Sequence, residues 1–197
     1  MAMIPTSRMT PDSLDDVRGM AAEARDYIDH VYLHWTAGHY GQAYDDYHIC
    51  IDEDGSIYIM CDSFKETLAH TYMRNRYALG VSMLCAVDAE ARSGYNAWLG
   101  YEPPTTKQIE VLAQVVAVLA EEFNLPLDCD DYVMTHCEAA EKDDYGPSTT
   151  CERWDLWYIP DDYGSDGELV PGGDLIRGKA AFYQRKWDEY GELYLGD

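Results

Sequence analysis

Two histidines and an aspartate, far apart along the chain, are the residues whose types suit shared chemistry. His34 closes a short apolar run, His136 closes a later one, and Asp144 follows in polar sequence. Two imidazoles and one carboxylate, with a fourth position left to water, form the ligand set of a catalytic zinc site. The same donors also suit non-haem iron, although the close His-x-Asp spacing usual there is absent around either histidine. Successive side chains on a strand face opposite sides. If His136 faces a metal, Cys137 therefore faces away, and the same parity separates His34 from Trp35 and Tyr47 from His48. His48 is expected in the core or behind the site, because a fourth protein ligand would leave no room for water. His30 and His39 are expected in solvent.

These residues need elements to hold them. Pro11 to Tyr27 reads as a first helix, and Val31 to His34 as a buried strand. Tyr47 to Asp52 and Ser56 to Met60 alternate around Asp54-Gly55, a strong hairpin signal. Leu79 to Cys85 and Tyr132 to His136 read as further strands. The clearest helix is Lys107 to Phe123, where Ile109, Leu112, Val116, Leu119 and Phe123 share one face. Thr105 and Gln108 fit a capping box at its start, and Asn124 before Pro126 supplies a stop. A last helix is expected from about Asp174 to about Leu193. Strands interleaved with helices predict an α/β fold, with a mixed central sheet flanked by helices. Strand order is not readable from the pattern.

The neighbours of the candidate ligands narrow the reading. His34-Trp35-Thr36-Ala37-Gly38 is followed by Tyr47-His48-Ile49 and then by Asp52-Glu53-Asp54-Gly55-Ser56-Ile57-Tyr58. Later come Asn75, Leu79-Gly80-Val81, Thr106-x-Gln108 and His136-Cys137-Glu138, with Lys142-x-Asp144-x-Gly146-Pro147 after them. In this order the chain resembles the zinc-dependent N-acetylmuramoyl-L-alanine amidases of the phage-lysozyme and peptidoglycan-recognition-protein type. The resemblance covers residues 30–157. It implies Zn²⁺ held by His34, His136 and Asp144. It implies catalytic roles for Tyr47 and Lys142, and substrate-facing positions for His70 and Asn75. Tyr95 and Trp98, with Tyr101, Trp154 and Trp157, are candidates for stacking on sugar or walling the cleft. The implied reaction is hydrolysis of the amide between N-acetylmuramic acid and L-alanine in peptidoglycan. Two departures stand out. Ser82 occupies a position where many relatives carry a carboxylate, and Asp144-Tyr145-Gly146 replaces the usual Asp-Pro-Gly.

Composition bounds the rest. The 197 residues suffice for one domain, expected as 1–197, with a motif-bearing core at 30–157 and an extension at 158–197 packed on it. Fourteen basic against 37 acidic residues give a net charge of −23, which excludes nucleic acid and anionic membrane as natural partners. No apolar run approaches the length of a spanning helix, so membrane insertion is not expected. Met1 to Asp16 shows no signal-peptide pattern. The six cysteines contain no Cys-x-x-Cys pair, and most are expected as free thiols. Synthesis in the cytoplasm and action at the bacterial wall, as in an endolysin, is the expected setting. A cytosolic muropeptide-recycling amidase and a non-catalytic peptidoglycan-binding module of the same fold are the alternatives.

Overall fold

Alternation along Val31–Trp35 sends Val31, Leu33 and Trp35 into one hydrophobic core and turns Tyr32 and His34 to the opposite face. The computed structural model describes residues 2–92, 96–161 and 168–190. Its chain order begins β1 (Met3–Pro5), α1 (Leu14–Glu23), β2 (His30–Trp35), β3 (Gln42–Tyr44), β4 (Ile49–Ile51) and β5 (Ile57–Ile59). Then follow β6 (Ala78–Met83), β7 (Glu90–Arg92), β8 (Asn96–Trp98), α2 (Thr106–Phe123), β9 (Val133–Thr135) and α3 (His136–Lys142). β10 (Tyr158–Pro160), β11 (Leu169–Pro171) and α4 (Gly172–Tyr190) complete the described chain.

Five strands form the central sheet in the order β5-β4-β6-β2-β9. β4, β6, β2 and β9 run parallel, and β5 pairs antiparallel at one edge, so the sheet is mixed as expected. β2 and β6 are buried along almost their whole length, which is what strands covered on both faces require. The β4–β5 hairpin turns at Asp52–Ser56. Gly55 there adopts φ +85°, a conformation glycine takes without steric cost. Asp52 and Asp54 accept the turn's amides.

One face of the sheet carries α2, whose capping box joins Thr105 to Gln108 and whose C-terminus ends on Asn124 at φ 54°. Its predicted stripe, Ile109, Leu112, Val116, Leu119 and Phe123, is buried. α1 and α4 pack against α2. The six cysteines are free thiols.

The segment from Ala86 to Pro104 contains the antiparallel β7–β8 pair. Two further features differ from the sequence reading. The first helix begins at Leu14, where Ser13 and Asp16 make a capping box, rather than near Pro11. The last strand stops at Thr135, and His136 is the first residue of α3. Thr135 accepts from the Glu138 amide and Glu138 accepts from the Thr135 amide, so the capping box Thr135-x-x-Glu138 converts strand to helix at the candidate ligand.

Candidate metal centre

Register across the sheet builds the centre. His34 on β2 stands opposite Ser82 on β6, which stands opposite Cys50 on β4, so these three occupy one row on the face away from α2. His34 lies near the end of β2, and His136 starts α3 just beyond the neighbouring strand β9. The third member arrives from a loop. The Asp155 carbonyl accepts the Cys137 amide at 3.3 Å, which fixes Asp155 beside the first turn of α3. Trp154 next to it packs edge-on to Trp35, with ring centroids 5.1 Å apart.

His34 Nδ1 and His136 Nδ1 are 3.1 Å apart. Asp155 Oδ2 lies 3.5 Å from the first and 3.4 Å from the second. Among the described residues this is the one group of three or more such side chains able to hold a metal ion. Donors bound at about 2.0–2.1 Å around a tetrahedral zinc sit roughly 3.3–3.4 Å from each other, so the triangle fits the ion. His34 is fully buried, and the Asp155 side chain, 13% exposed, is where the group meets solvent.

The electrostatics disfavour an imidazolium at His34 and a protonated carboxyl at Asp155. Burial, reinforced by His136 and Arg153 against the pull of Asp155, lowers His34 from 6.5 to about 4. Burial alone would raise the Asp155 carboxyl, but hydrogen bonds with His136 and His34 outweigh it and hold the group well below the usual carboxylate range.

A ring of groups surrounds the triangle. The Tyr47 ring lies 5.1 Å from that of His34. Burial, with the Asp155 charge behind it, raises its phenol far above the ordinary value, while the Ser82 hydroxyl pulls the other way. His48 is committed elsewhere. Its Nδ1 accepts the Gly80 amide at 3.0 Å, so its Nε2 carries the proton and donates to the Glu66 carbonyl, also at 3.0 Å. His70 packs its ring over Gly80, and Asn75 accepts the amides of His70 and Thr71. Asn75 thus shapes the loop that brings His70 and Thr71 to the site. Tyr145 stands edge-on to His136 with centroids 6.2 Å apart.

The group that could hold a metal ion contains Asp155 and not the expected Asp144. Seven residues of α3 carry the chain about 10 Å onward from His136, away from the sheet end, and only a loop brings it back. Asp144 is exposed, at φ 63° just beyond α3, and lines a small depression with Tyr72, Met73, Arg74 and Asp143. Lys142 leaves with it. Its Nζ pairs with Asp131 at 2.9 Å and Asp130 at 3.3 Å, and it lines a separate cavity of about 880 Å³ together with Glu138, Glu141 and Trp157. The cation two residues before the third donor is instead Arg153, whose charge reaches both His34 and Tyr145. Asp155, Arg153 and Thr71 are the site residues that sequence reasoning missed. The pattern cation-x-Asp could have found the first two, because it occurs at both 142–144 and 153–155. Trp98 lies on β8 against Tyr101 and Arg92. Tyr95 lies outside the described residues.

Two histidines and a carboxylate gathered at the end of a mixed, helix-covered sheet make a group that could hold a metal ion. The family model described as N-acetylmuramoyl-L-alanine amidase matches residues 24–153, and the chain belongs to that family. The matched segment holds His34 and His136 and stops two residues short of Asp155. Two solved structures from Clostridium intestinale URNW are similar. An endolysin N-acetylmuramoyl-L-alanine amidase, LysCS, is 18% identical over 56% of this chain and 69% of its own, with a TM-score of 0.39. The amidase LysC is 17% identical over 56% and 70%, with the same TM-score. Comparison with curated proteins gave no match.

Proposed function

We propose that this amidase uses zinc, held by His34, His136 and Asp155, to cut the amide between N-acetylmuramic acid and L-alanine. The observation that carries the reading is the triangle of two Nδ1 atoms and one Oδ2 atom with sides of 3.1–3.5 Å. When bound, zinc polarises a carbonyl and brings the pKa of water down to about 7.

The chain's own groups divide the remaining work. Tyr47, whose burial keeps the phenol protonated well past neutral pH, serves as a hydrogen-bond donor to charge developing on the lactyl carbonyl oxygen and not as a base. Arg153 supplies a fixed positive charge on the same side, in the role that resemblance had given to Lys142. Ser82, in the row beside His34, offers a hydroxyl and no carboxylate, so it steadies Tyr47 and removes no proton from water. Tyr72 and Met73, 72% and 83% exposed, stand on the loop that begins at the site, and Tyr72 stacks edge-on with Tyr145. An open apolar rim of this kind suits a long substrate, and we assign polymeric wall peptidoglycan, as cut by a wall-lytic endolysin, over a free muropeptide.

Two measurements test this. Metal analysis of the purified protein should give one zinc per chain, lost in Asp155→Ala and kept in Asp144→Ala. Purified peptidoglycan incubated with the protein should gain L-alanine amino termini, faster on intact walls than on soluble muropeptides. No new amino termini would sink the activity. Preference for soluble fragments would move the enzyme to recycling.

A further inference from the structure

We propose that Thr71 is a positioning residue for the ligand His34, holding its ring through a proton relay that ends on His70. The inference rests on the reading of His34, His136 and Asp155 as a metal centre.

Thr71 Oγ1 lies 3.3 Å from His34 Nε2 and 3.0 Å from His70 Nδ1. The three side chains are 1%, 0% and 7% exposed, so water is not at hand to replace any of them. With His34 Nδ1 given to the metal, its Nε2 carries the ring proton and donates to Thr71 Oγ1. The Thr71 hydroxyl then donates its own proton to His70 Nδ1. The ring proton of His34 and the hydroxyl proton of Thr71 each have one acceptor, and the hydroxyl is used in both directions, while the proton this leaves on His70 Nε2 is buried without a partner. A ligand imidazole is oriented by whatever its second nitrogen bonds. His136 lacks such support, since its Nε2 is buried without a partner.

The backbone is arranged to deliver this contact. Asn75 Oδ1 accepts the His70 amide at 3.1 Å and the Thr71 amide at 2.7 Å, and the Arg74 amide donates to the Thr71 carbonyl at 3.1 Å. The absence of a side chain at Gly80 gives the His70 ring its place, because a Cβ there would come within 2.6 Å of it.

Zinc affinity, measured by competition with a chromophoric chelator, reads the proposal without reference to turnover. Thr71→Val keeps the shape but leaves His34 Nε2–H unbonded, and it should bind zinc about 10–100-fold more weakly. Thr71→Ser should come back to within about threefold of wild type. His70→Phe keeps a ring over Gly80 and removes the second acceptor. It should weaken binding in the same direction by several-fold, so the relay remains testable if Thr71→Val does not fold. Metal-free unfolding midpoints of Thr71→Ser and wild type should coincide. Wild-type affinity in Thr71→Val, or a Thr71→Ser as weak as Thr71→Val, would overturn the relay while leaving the metal centre standing. A wild type that binds no zinc in the same titration would overturn both.

Discussion

Arg153 and Lys142 are each a cation two residues ahead of an aspartate, yet their surroundings differ. Lys142 is tied to Asp131 and Asp130 at the end of α3. Arg153 is exposed, and its charge adds to the burial that lowers His34 and works against the burial that raises Tyr145. Loss of one fixed donor to a developing oxyanion costs about 2.7–4 kcal/mol, or roughly 10²–10³ in rate. Arg153→Ala is therefore expected to reduce kcat about a hundredfold with zinc still bound, and Arg153→Lys to recover part of that loss. Lys142→Ala removes surface ion pairs worth about 0–1 kcal/mol and should leave kcat within about twofold. Steady-state rates on one muropeptide decide it, and a reversed order of the two alanine variants would return the role to Lys142. His34, His136 and Tyr47 were legible as single letters because each sits at the end or entry of an apolar run. Asp155 was not. The cation-x-Asp spacing fits 142–144 and 153–155 alike, and what decides between them is a loop that folds back through the Cys137 amide and the Trp35–Trp154 contact.

At the scale of elements, the strands and α2 were legible because burial on one face or two imposes a period that sequence displays. α3 was hidden by its length. Seven residues give no helical period, and the only local sign was the capping box Thr135-x-x-Glu138. That box matters for the site, since a strand continued through His136 would orient the ring by the sheet's parity rather than by a helix start. β6 shows how an element serves the site from behind. Leu79, Val81 and Met83 fill the core, while Gly80 and Ser82 face His70 and Tyr47. Gly80→Ala places a methyl 2.6 Å from the His70 ring, against backbone fixed by two neighbouring strands. Overpacking of this kind costs about 1–3 kcal/mol. The variant should unfold several degrees lower and bind zinc more weakly, both readable by thermal unfolding with and without metal. An unchanged midpoint would mean that the His70 loop shifts freely, and the site would then owe little to β6.

The whole molecule carries charge in two unlike places. Inside, burial first and then mutual repulsion lower His70, and burial lowers His48 and His34. Unfolding returns each to the ordinary 6.5, so the unfolded chain binds more protons between that value and about 4, the value for His34. Stability of the metal-free protein therefore falls as pH drops through this window, by up to about 1.4 kcal/mol per unit for each histidine that stays neutral in the fold. A midpoint flat from about pH 7 to about pH 5 would contradict the sheltered histidines. Outside, the formal charge of −23 opposes approach to any anionic wall polymer. Local cations do little to offset it, since Arg74 is held by both oxygens of Asp143. Raising salt from about 0.01 M to about 0.15 M shortens the Debye length from about 30 Å to about 8 Å and screens that repulsion. The rate on intact, anionic walls should consequently rise several-fold across this range, while the rate on a small neutral muropeptide stays level, because a neutral substrate feels no field to screen. Turbidity loss of walls and release of amino termini from the fragment, followed in parallel, measure the two. A wall rate that falls steadily with salt would mean that the exposed Arg153 side of the cleft, and not the net charge, governs how the enzyme meets its substrate.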